Sequence, residues 1–281
     1  MTEAGDGLLE YLDKNKENDI DMREAMVLFS MDIIGSAAFG INPGVLKNPE
    51  SEFRVKGKQI SEPNWKNLVR IWKKNDIQRN DFIQMMVHLK EKGKIEVKTL
   101  DSSDDYLNTE LNDTNNEVFE ITDDILLAQA QSFLLAGFES TALLLAYAML
   151  EICQKPQLQD TLRKEIVEQV KLNGGLTYEA LRNLKLLEQA VKAIHLDPTF
   201  YPDPKSFKPE RFAEQPKPGT FLPFGEGLRM CIAMMYAMLV VKFGLALFLL
   251  NYRAKLSPST SYPVKFNNRA ATLTAIWKYS K

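Results

Sequence analysis

Cysteine and histidine are scarce in this chain, which has two of each among its 281 residues. Because Cys153 and Cys231 lie far apart, neither a disulfide framework nor a CxxC site is expected. His195 has no second histidine or cysteine at ligand spacing, so the sequence also argues against a zinc site there. The few cysteines are consistent with a reducing compartment.

The chain also lacks a strong excess of one charge. Its net charge is −2 and its pI is about 5.9, which gives no electrostatic case for a nucleic-acid partner. The first 21 residues are rich in Asp, Glu and Lys and contain no apolar signal core, so neither a signal peptide nor a membrane anchor is expected there. Apolar stretches at 125–150 and 232–250 are interrupted by charged residues or glycine and are predicted to be buried core helices rather than membrane spans.

Helical periodicity covers most of the sequence and convincing strands are few, so we predict a mainly α fold. Predicted helices lie at residues 8–12, 22–39, 53–59, 64–74, 81–91, 122–153, 156–173 and 181–193, and a last helix follows residue 233. Thr122 is the predicted N-cap of the longest helix. Residues 94–120 are dominated by Asp, Asn, Glu, Ser and Thr and are predicted to form an exposed polar loop.

The most informative segment is Phe-Gly-Glu-Gly-Leu-Arg-Met-Cys-Ile-Ala at residues 224–233. It places Cys231 directly before a long apolar helix, where backbone N–H groups and the helix dipole favour a thiolate. Gly225 and Gly227 allow a tight turn and a close approach to a flat ligand, while Arg229 offers a cation for a carboxylate. These features together describe a holder for haem, whose iron can take a cysteine ligand. Taken alone, Cys231 would instead be a buried structural cysteine.

A second motif, Ala-Gly-Phe-Glu-Ser-Thr at residues 136–141, lies in the middle of the longest predicted helix. Glycine and small hydroxyl residues weaken a helix relative to alanine or leucine, so something should offset them. Gly137 would let a flat cofactor or dioxygen approach the backbone, and the neighbouring acid and hydroxyl side chains could relay protons. Close helix packing at Gly137 explains the glycine equally well.

The first motif, written F-G-x-G-x-R-x-C-I-A, resembles the haem-binding loop of the cytochrome P450 family. The resemblance implies that Cys231 is the axial iron ligand of haem b and that Arg229 is a propionate partner. It also implies that Phe224 packs against the sulfur side and that Gly225 and Gly227 belong to the same cofactor-binding loop.

The second motif resembles the family's distal-helix pattern, A-G-x-[DE]-T. By that resemblance Ala136 and Gly137 line the oxygen pocket, and Glu139 joins a proton relay. Ser140 occupies the usual threonine position, with Thr141 next to it. Serine lacks the methyl group that restricts the threonine rotamer, so we expect less well controlled proton delivery.

A third stretch, residues 194–212, resembles the family's meander, in which Arg211 completes a buried ionic triad. The other two triad members come from an E-x-x-R pair, but here residues 187–193 run directly into the meander and the pair is absent. Arg211 is therefore expected to lack its partner, and a buried unpaired charge is costly. Glu188 and Lys192 remain in the shortened helix and are interpreted as an ordinary surface pair.

The resemblance runs over most of the chain and is closest to animal microsomal, insect-type detoxification enzymes, with pieces removed at the start and inside. It implies a single partial domain over residues 1–281, mainly α, with an incomplete cytochrome P450-like helical fold and most of the usual small β-sheets missing. In this domain residues 94–120 would be an exposed polar loop, 122–153 the long distal helix, and 194–233 the meander and the cysteine haem loop.

The function that the resemblance implies is a haem-thiolate monooxygenase, which inserts one oxygen atom of O2 into a small lipophilic substrate. Its electrons would come from a membrane-bound NADPH-dependent flavoprotein reductase, and the family implies the membrane of the endoplasmic reticulum. Because no anchor or signal is recognised in the chain, a cytoplasmic location is the alternative. Two other readings stay open, namely a catalytically inactive fragment of the family and a helical interaction protein without haem.

Overall fold

The computed structural model describes residues 1–17, 19–51, 53–54, 81–98, 116–193, 203, 206–258, 260 and 279–280. The predicted helices at 53–59 and 64–74 lie outside these residues, apart from residues 53 and 54. Most of the predicted meander between residues 194 and 205, including His195, also lies outside them.

Within the described residues the chain is mainly helical, as its periodicity predicts. The α-helices described are α1 (Thr2–Asn15), α2 (Met22–Ala38), α3 (Phe82–Lys92), α4 (Asp123–Cys153), α5 (Pro156–Asn173), α6 (Tyr178–Arg182), α7 (Lys185–Lys192) and α8 (Met234–Asn251). Short 3-10 helices lie at Pro209–Phe212 and Gly227–Arg229. Two antiparallel strand pairs join β1 (Lys94–Lys98) to β2 (Asn116–Glu120) and β3 (Lys255–Leu256) to β4 (Tyr279–Ser280).

Capping residues determine where several helices begin and end. At the start of α4 the Thr122 hydroxyl accepts the backbone N–H of Ile125 at 3.3 Å, as the sequence predicts. The carboxylates of Asp21 and Asp81 do the same at the starts of α2 and α3, each for the residue three positions further on. Helix α5 ends where Gly174 adopts a left-handed φ of 70°, which glycine adopts without strain.

The helix predicted at 181–193 is divided in two by residues 183 and 184, and this prediction was wrong in that respect. The second piece, α7, begins where the Glu165 carboxylate accepts the backbone N–H groups of Leu186 at 2.8 Å and Leu187 at 3.0 Å. A carboxylate at this position satisfies N–H groups that have no partner within the helix. Because Glu165 belongs to α5, the local sequence of α7 does not contain the signal for its start.

The segment predicted as an exposed polar loop, residues 94–120, begins and ends with paired strands, which corrects that prediction. Lys94 lies opposite Glu120, and Lys98 lies opposite Asn116. Strand β1 alternates polar and apolar residues, a period-2 pattern that the polar composition of the whole segment obscured. The residues between the strands, 99–115, lie outside the described part of the chain.

Helices α2, α4 and α8 pack together at the centre of the apolar core. Helix α8 approaches its neighbours closely at Gly244, where a Cβ atom would lie 2.9 Å from the Phe29 ring and 3.1 Å from a Leu145 methyl group. The second half of α8 is therefore buried. The first turn of the same helix, at Met234 and Met235, is at least partly exposed, as is the loop that precedes it.

Helices α4 and α8 are the two described helices that are long and apolar enough to cross a membrane. In the fold, 44% of the apolar window of α4 and 50% of that of α8 are buried inside the protein. Buried core helices pass the same length and composition test, and both helices pack against α2 and against each other.

Candidate functional site

Backbone geometry shapes the loop that carries the predicted iron ligand. The backbone N–H of Cys231 donates to the carbonyl of Phe224 at 2.8 Å, and that of Met230 donates to the carbonyl of Gly227 at 3.1 Å. Gly225 and Gly227 both adopt φ of 74°. Residues with a side chain are strained in this left-handed region, so the two glycines are what allow the loop to turn.

Cys231 lies three residues before the first residue of α8, which begins at Met234, directly after residue 233 as the sequence predicts. Its carbonyl accepts the backbone N–H of Met234 at 3.4 Å, and Ala233 occupies the N-cap position without a side-chain cap. The thiol group belongs to a half-buried residue. The cysteine is thus held by backbone hydrogen bonds at the entrance to the helix, with no side-chain cap competing for the free N–H groups of the first turn.

Apolar side chains next to Cys231 are unusually exposed. Leu228 is 89% exposed and Ile232 is 88% exposed, and Met230 and Met235 are exposed as well. Arg229, between two of them, is also exposed and forms no ion pair with the residues that the structure describes. These exposed apolar side chains surround the Cys231 thiol and the Arg229 cation, and together they form a surface that a flat apolar ligand with carboxylate groups would cover.

The motif at 136–141 presents its residues to two different environments. Ala136 and Ser140 are exposed, and the Ser140 hydroxyl donates to the Ala136 carbonyl at 2.7 Å within the helix. Thr141 is buried. Gly137 approaches α2 so closely that a Cβ atom would lie 2.5 Å from Ile34 Cδ1, which is the close helix packing considered from the sequence.

Glu139 forms an ion pair that the sequence did not reveal. Its Oε1 lies 2.8 Å from a terminal guanidinium nitrogen of Arg23, and both side chains are mostly buried. Arg23 lies in the first turn of α2, 116 residues away, so no local pattern connects the two. The pair fixes the position of the Glu139 carboxylate, which directly precedes Ser140 in the chain.

Neither motif lies at the contact between α4 and α8. The helices meet at Leu145 and Gly244. Leu145 lies eight residues beyond Gly137, which at 1.5 Å per residue is about 12 Å along the helix. Cys231 lies thirteen residues before Gly244, beyond the free end of α8. The structure thus places each motif away from the buried crossing, with exposed residues in both.

Arg211 has a partner, which corrects the expectation of an unpaired buried charge. Its guanidinium donates to the backbone carbonyl of Asp203 at 2.6 Å, and the residue is only half-buried. The Asp203 carboxylate pairs with Lys208 at 2.9 Å. Arg211 is therefore not a buried, unpaired charge despite the loss of the E-x-x-R pair, because its guanidinium contacts a carbonyl oxygen and is partly exposed to water.

Alkylation of the native protein is expected to modify Cys231 and spare Cys153. Burial raises the pKa of the Cys153 thiol to about 12, so at pH 8 roughly 10⁻⁴ of it is thiolate, the reactive form. Cys231 is half-buried at the surface loop. Peptide mass spectrometry after brief iodoacetamide treatment measures both sites, with a denatured sample as the control in which both react. Equal labelling of the two in the native protein would contradict the described burial.

Comparison with known proteins shows which family has this arrangement. The family model described as Cytochrome P450 matches residues 1–192 and 190–279. The chain belongs to the cytochrome P450 family. The two matched segments meet at residues 190–192, at the end of α7, which is where the sequence lacks the E-x-x-R pair.

The similar proteins are insect cytochromes P450. The chain is 27% identical to Cytochrome P450 6k1 of Blattella germanica over 351 aligned residues, which cover 95% of this chain and 66% of the relative. It is 26% identical to Probable cytochrome P450 6a18 of Drosophila melanogaster, over 94% of this chain and 66% of that protein. It is 28% identical to Cytochrome P450 6A1 of Musca domestica, over 98% of this chain and 67% of that protein.

This chain thus spans about two thirds of the length of the curated relatives it matches. The alignment with the Blattella protein is also longer than the chain itself, at 351 positions against 281 residues. Part of the relative therefore has no counterpart inside the matched region, in agreement with the internal gaps inferred from the motifs.

Cytochromes P450 bind haem b, and the residues present in this chain fit that group. Cys231 supplies a sulfur donor in a loop whose two left-handed glycines carry no side chain that could obstruct a flat ring. The exposed apolar side chains of Leu228 and Ile232 suit a porphyrin face, and Arg229, which pairs with no acid in the described part of the chain, suits a propionate. This donor set comes from one short loop and needs no residue from the unmatched parts.

Proposed function

We propose that this chain is a haem-thiolate monooxygenase domain, in which Cys231 is the axial ligand of haem b. The observation that carries the proposal is the loop geometry, namely a half-buried cysteine between two left-handed glycines and α8, surrounded by exposed apolar side chains. Haem b, when bound, supplies the reductive activation of dioxygen. The substrate is a small lipophilic molecule, which gains one oxygen atom while the other leaves as water.

The cysteine loop has three tasks in this proposal. Cys231 would supply a thiolate to the iron, and its backbone N–H, which donates to the Phe224 carbonyl, fixes the shape of the loop that carries it. The Phe224 ring is proposed to pack against the sulfur side, where an apolar group excludes water from the thiolate. Arg229 binds a propionate, since its guanidinium presents two parallel donors that match a carboxylate. Gly225 and Gly227 leave room for the ring to approach the backbone.

The middle of α4 is proposed to face the oxygen side of the cofactor, with Ala136 and Gly137 lining the pocket. Glu139 and Ser140 form the proton path. The Ser140 proton now lies toward the Ala136 carbonyl, and rotation about one side-chain bond would redirect it, since serine has no methyl group to restrict that rotation. Of the two adjacent hydroxyls, Ser140 is the one accessible for proton transfer. Thr141 is buried and lies on the core side of α4.

The ion pair with Arg23 controls how Glu139 takes part in the proton path. The guanidinium of Arg23, at 2.8 Å, holds the Glu139 carboxylate in one orientation. Glu139 is proposed to pass protons from solvent toward Ser140, the next residue in the chain, when this ion pair loosens. This step needs no group beyond those of the chain and solvent water.

The partners and location are proposed by analogy with the family. Electrons are proposed to come from an NADPH-dependent flavoprotein reductase, O2 is the second substrate, and the proposed location is the surface of the endoplasmic reticulum membrane. The whole of residues 1–281 is proposed to form one partial cytochrome P450 domain, with the distal helix at 122–153 and the meander and haem loop at 194–233.

A second candidate is a member that binds haem without turnover. It is favoured by the missing E-x-x-R pair and by the part of the relatives that has no counterpart in this chain. Both candidates predict haem binding through Cys231, and they differ in whether electrons from NADPH end in an oxygenated product. The third candidate is a helical protein without haem, which predicts neither haem binding through Cys231 nor an oxygenated product.

Titration of the purified chain with haemin, followed by reduction and addition of carbon monoxide, tests the proposal. A thiolate-type Soret band at a stoichiometry near one haem per chain is the expected result. Folded protein that takes up no haem would favour the third reading. Incubation with reductase, NADPH and a lipophilic alkoxy-aromatic probe then separates the first two, since only the monooxygenase yields dealkylated product.

A further inference from the structure

Lys242 is a buried cation in the middle of the apolar helix α8. Its side chain is 6% exposed, and its ammonium nitrogen lies 3.1 Å from Oε2 of Glu188 on α7. The same nitrogen lies 3.4 Å from the carbonyl oxygen of Arg182, the last residue of α6. A cation at the carbonyl end of a helix is favourable, so both contacts stabilise the charge.

Glu188 shares its carboxylate between two lysines. Oε1 lies 2.7 Å from Lys192, which is the surface pair expected from the sequence, and Oε2 contacts Lys242. Partial burial would raise the pKa of Glu188, but the hydrogen bonds and charges of the two lysines outweigh it and the net pKa is lowered. Glu188 is 36% exposed, so it keeps partial contact with water while Lys242 does not. We call these three residues the Glu188 cluster.

The Glu188 cluster restricts the position of α8 along its own axis, which apolar packing restricts less. A helix packed only by methyl groups and rings can shift along its axis, whereas a buried ion pair requires one register. At its far end α8 is clamped by Arg163, whose guanidinium donates to the carbonyls of Leu249 at 2.6 Å and Tyr252. At its near end α8 has no side-chain cap and leads directly to Cys231. Lys242 makes a buried polar contact between that clamp and the cysteine loop.

The position of the cluster adds to this reading. Glu188 lies on α7 just before residues 190–192, where the two matched segments of the family meet and where the E-x-x-R pair is absent. We propose that Lys242 is a positioning residue, which through Glu188 sets the axial register of α8 and thereby the place of the Cys231 sulfur. This inference rests on the proposed function, because the sulfur is the iron ligand only in that proposal.

A set of four variants separates positioning from simple stabilisation. Glu188→Gln leaves the Lys242 ammonium buried without its counter-ion, and the unfolding midpoint in urea should fall. The double variant Glu188→Gln with Lys242→Met removes both charges with similar side-chain volumes, so the midpoint should recover. Lys242→Met alone should be milder than Glu188→Gln, since Glu188 retains Lys192 and water. Lys192→Met is the matched control, because it removes the other cation that contacts the Glu188 carboxylate and leaves the buried pair of Glu188 and Lys242 intact.

The deciding readout is the haemin dissociation constant measured below the unfolding transition. If the pair sets the register, the double variant recovers its urea midpoint but binds haemin about tenfold more weakly than the wild type. Lys192→Met should bind haemin as the wild type does. A double variant with both wild-type stability and wild-type haemin affinity would overturn the proposal, because the pair would then be structural only.

A second measurement makes this test independent of haem. The alkylation rate of Cys231 in the haem-free protein reports the surroundings of the sulfur, and we expect it to change several-fold in the double variant and to stay constant in Lys192→Met. If the wild type failed to bind haemin through Cys231, the proposed function would fall while this rate still judged the role of Lys242. If neither the alkylation rate of Cys231 nor the haemin affinity changed in the double variant, the positioning role of Lys242 would be refuted, and the proposed function would be unaffected.

Discussion

Replacing Cys231 with alanine is expected to abolish the thiolate-type Soret band of the reduced, carbon monoxide-bound protein. The sulfur is the donor that the loop offers to iron, and Cys153, the other cysteine, is buried in the core with a pKa of about 12. We expect haemin affinity to fall by roughly 100-fold, because loss of a metal ligand exceeds the 10- to 100-fold effect of losing an outer contact. The measurements are a haemin titration and a carbon monoxide difference spectrum.

Two variants serve as controls for this prediction. Cys153→Ala removes the other thiol and should retain the thiolate-type band, with a stability loss of about 1 kcal/mol from the small cavity. Cys231→His keeps a donor atom in the loop and should bind haemin with an imidazole-type spectrum. A thiolate-type band that survives in Cys231→Ala would refute the ligand assignment, whatever the behaviour of the controls.

Replacing Gly137 with alanine is expected to destabilise the protein by about 1–3 kcal/mol, the usual cost of inserting a methyl group into a packed contact. The added Cβ would lie 2.5 Å from both Cδ1 and Cγ1 of Ile34, so the isoleucine must move. At an unobstructed helical position the same change would instead stabilise the protein by about 1 kcal/mol. The sign of the effect in urea unfolding therefore tests the α2–α4 contact directly.

A double variant locates the cause of that effect. Ile34→Ala removes both contacting atoms and is expected to cost about 2–5 kcal/mol by itself. Adding Gly137→Ala to it should then cost nothing further, because the new methyl group enters the vacated space. Ser140→Ala, an exposed substitution on the same helix, is the control and should stay within about 0.5 kcal/mol of the wild type. Stabilisation by Gly137→Ala alone would mean that Gly137 does not pack against Ile34 of α2.

Local sequence patterns were sufficient for most of the helical fold. The bounds of α4 follow from Thr122 and from the end of its periodicity at Cys153, and those of α5 from Pro156 and Gly174. These signals lie within a few residues of the ends they determine, because caps and turn residues act on the nearest backbone groups. The cysteine loop was recognisable for the same reason, since its glycines act on the turn in which they lie.

Contacts between distant segments were not predictable in the same way. The start of α7 depends on Glu165 of another helix, and Glu139 is bound by Arg23 of α2. Lys242 looked like an interruption of an apolar run and proved to be the buried partner of Glu188. In each case the residue type gave a clue, a charge in or near apolar surroundings, but its partner could be identified only in three dimensions.

X-ray absorption at the iron edge of the haemin-loaded protein is the most direct measurement of what occupies the axial position. The account predicts one sulfur neighbour of the iron in addition to the four porphyrin nitrogens, and loss of that sulfur in Cys231→Ala. A first shell of nitrogen and oxygen alone in the unmodified chain would contradict it.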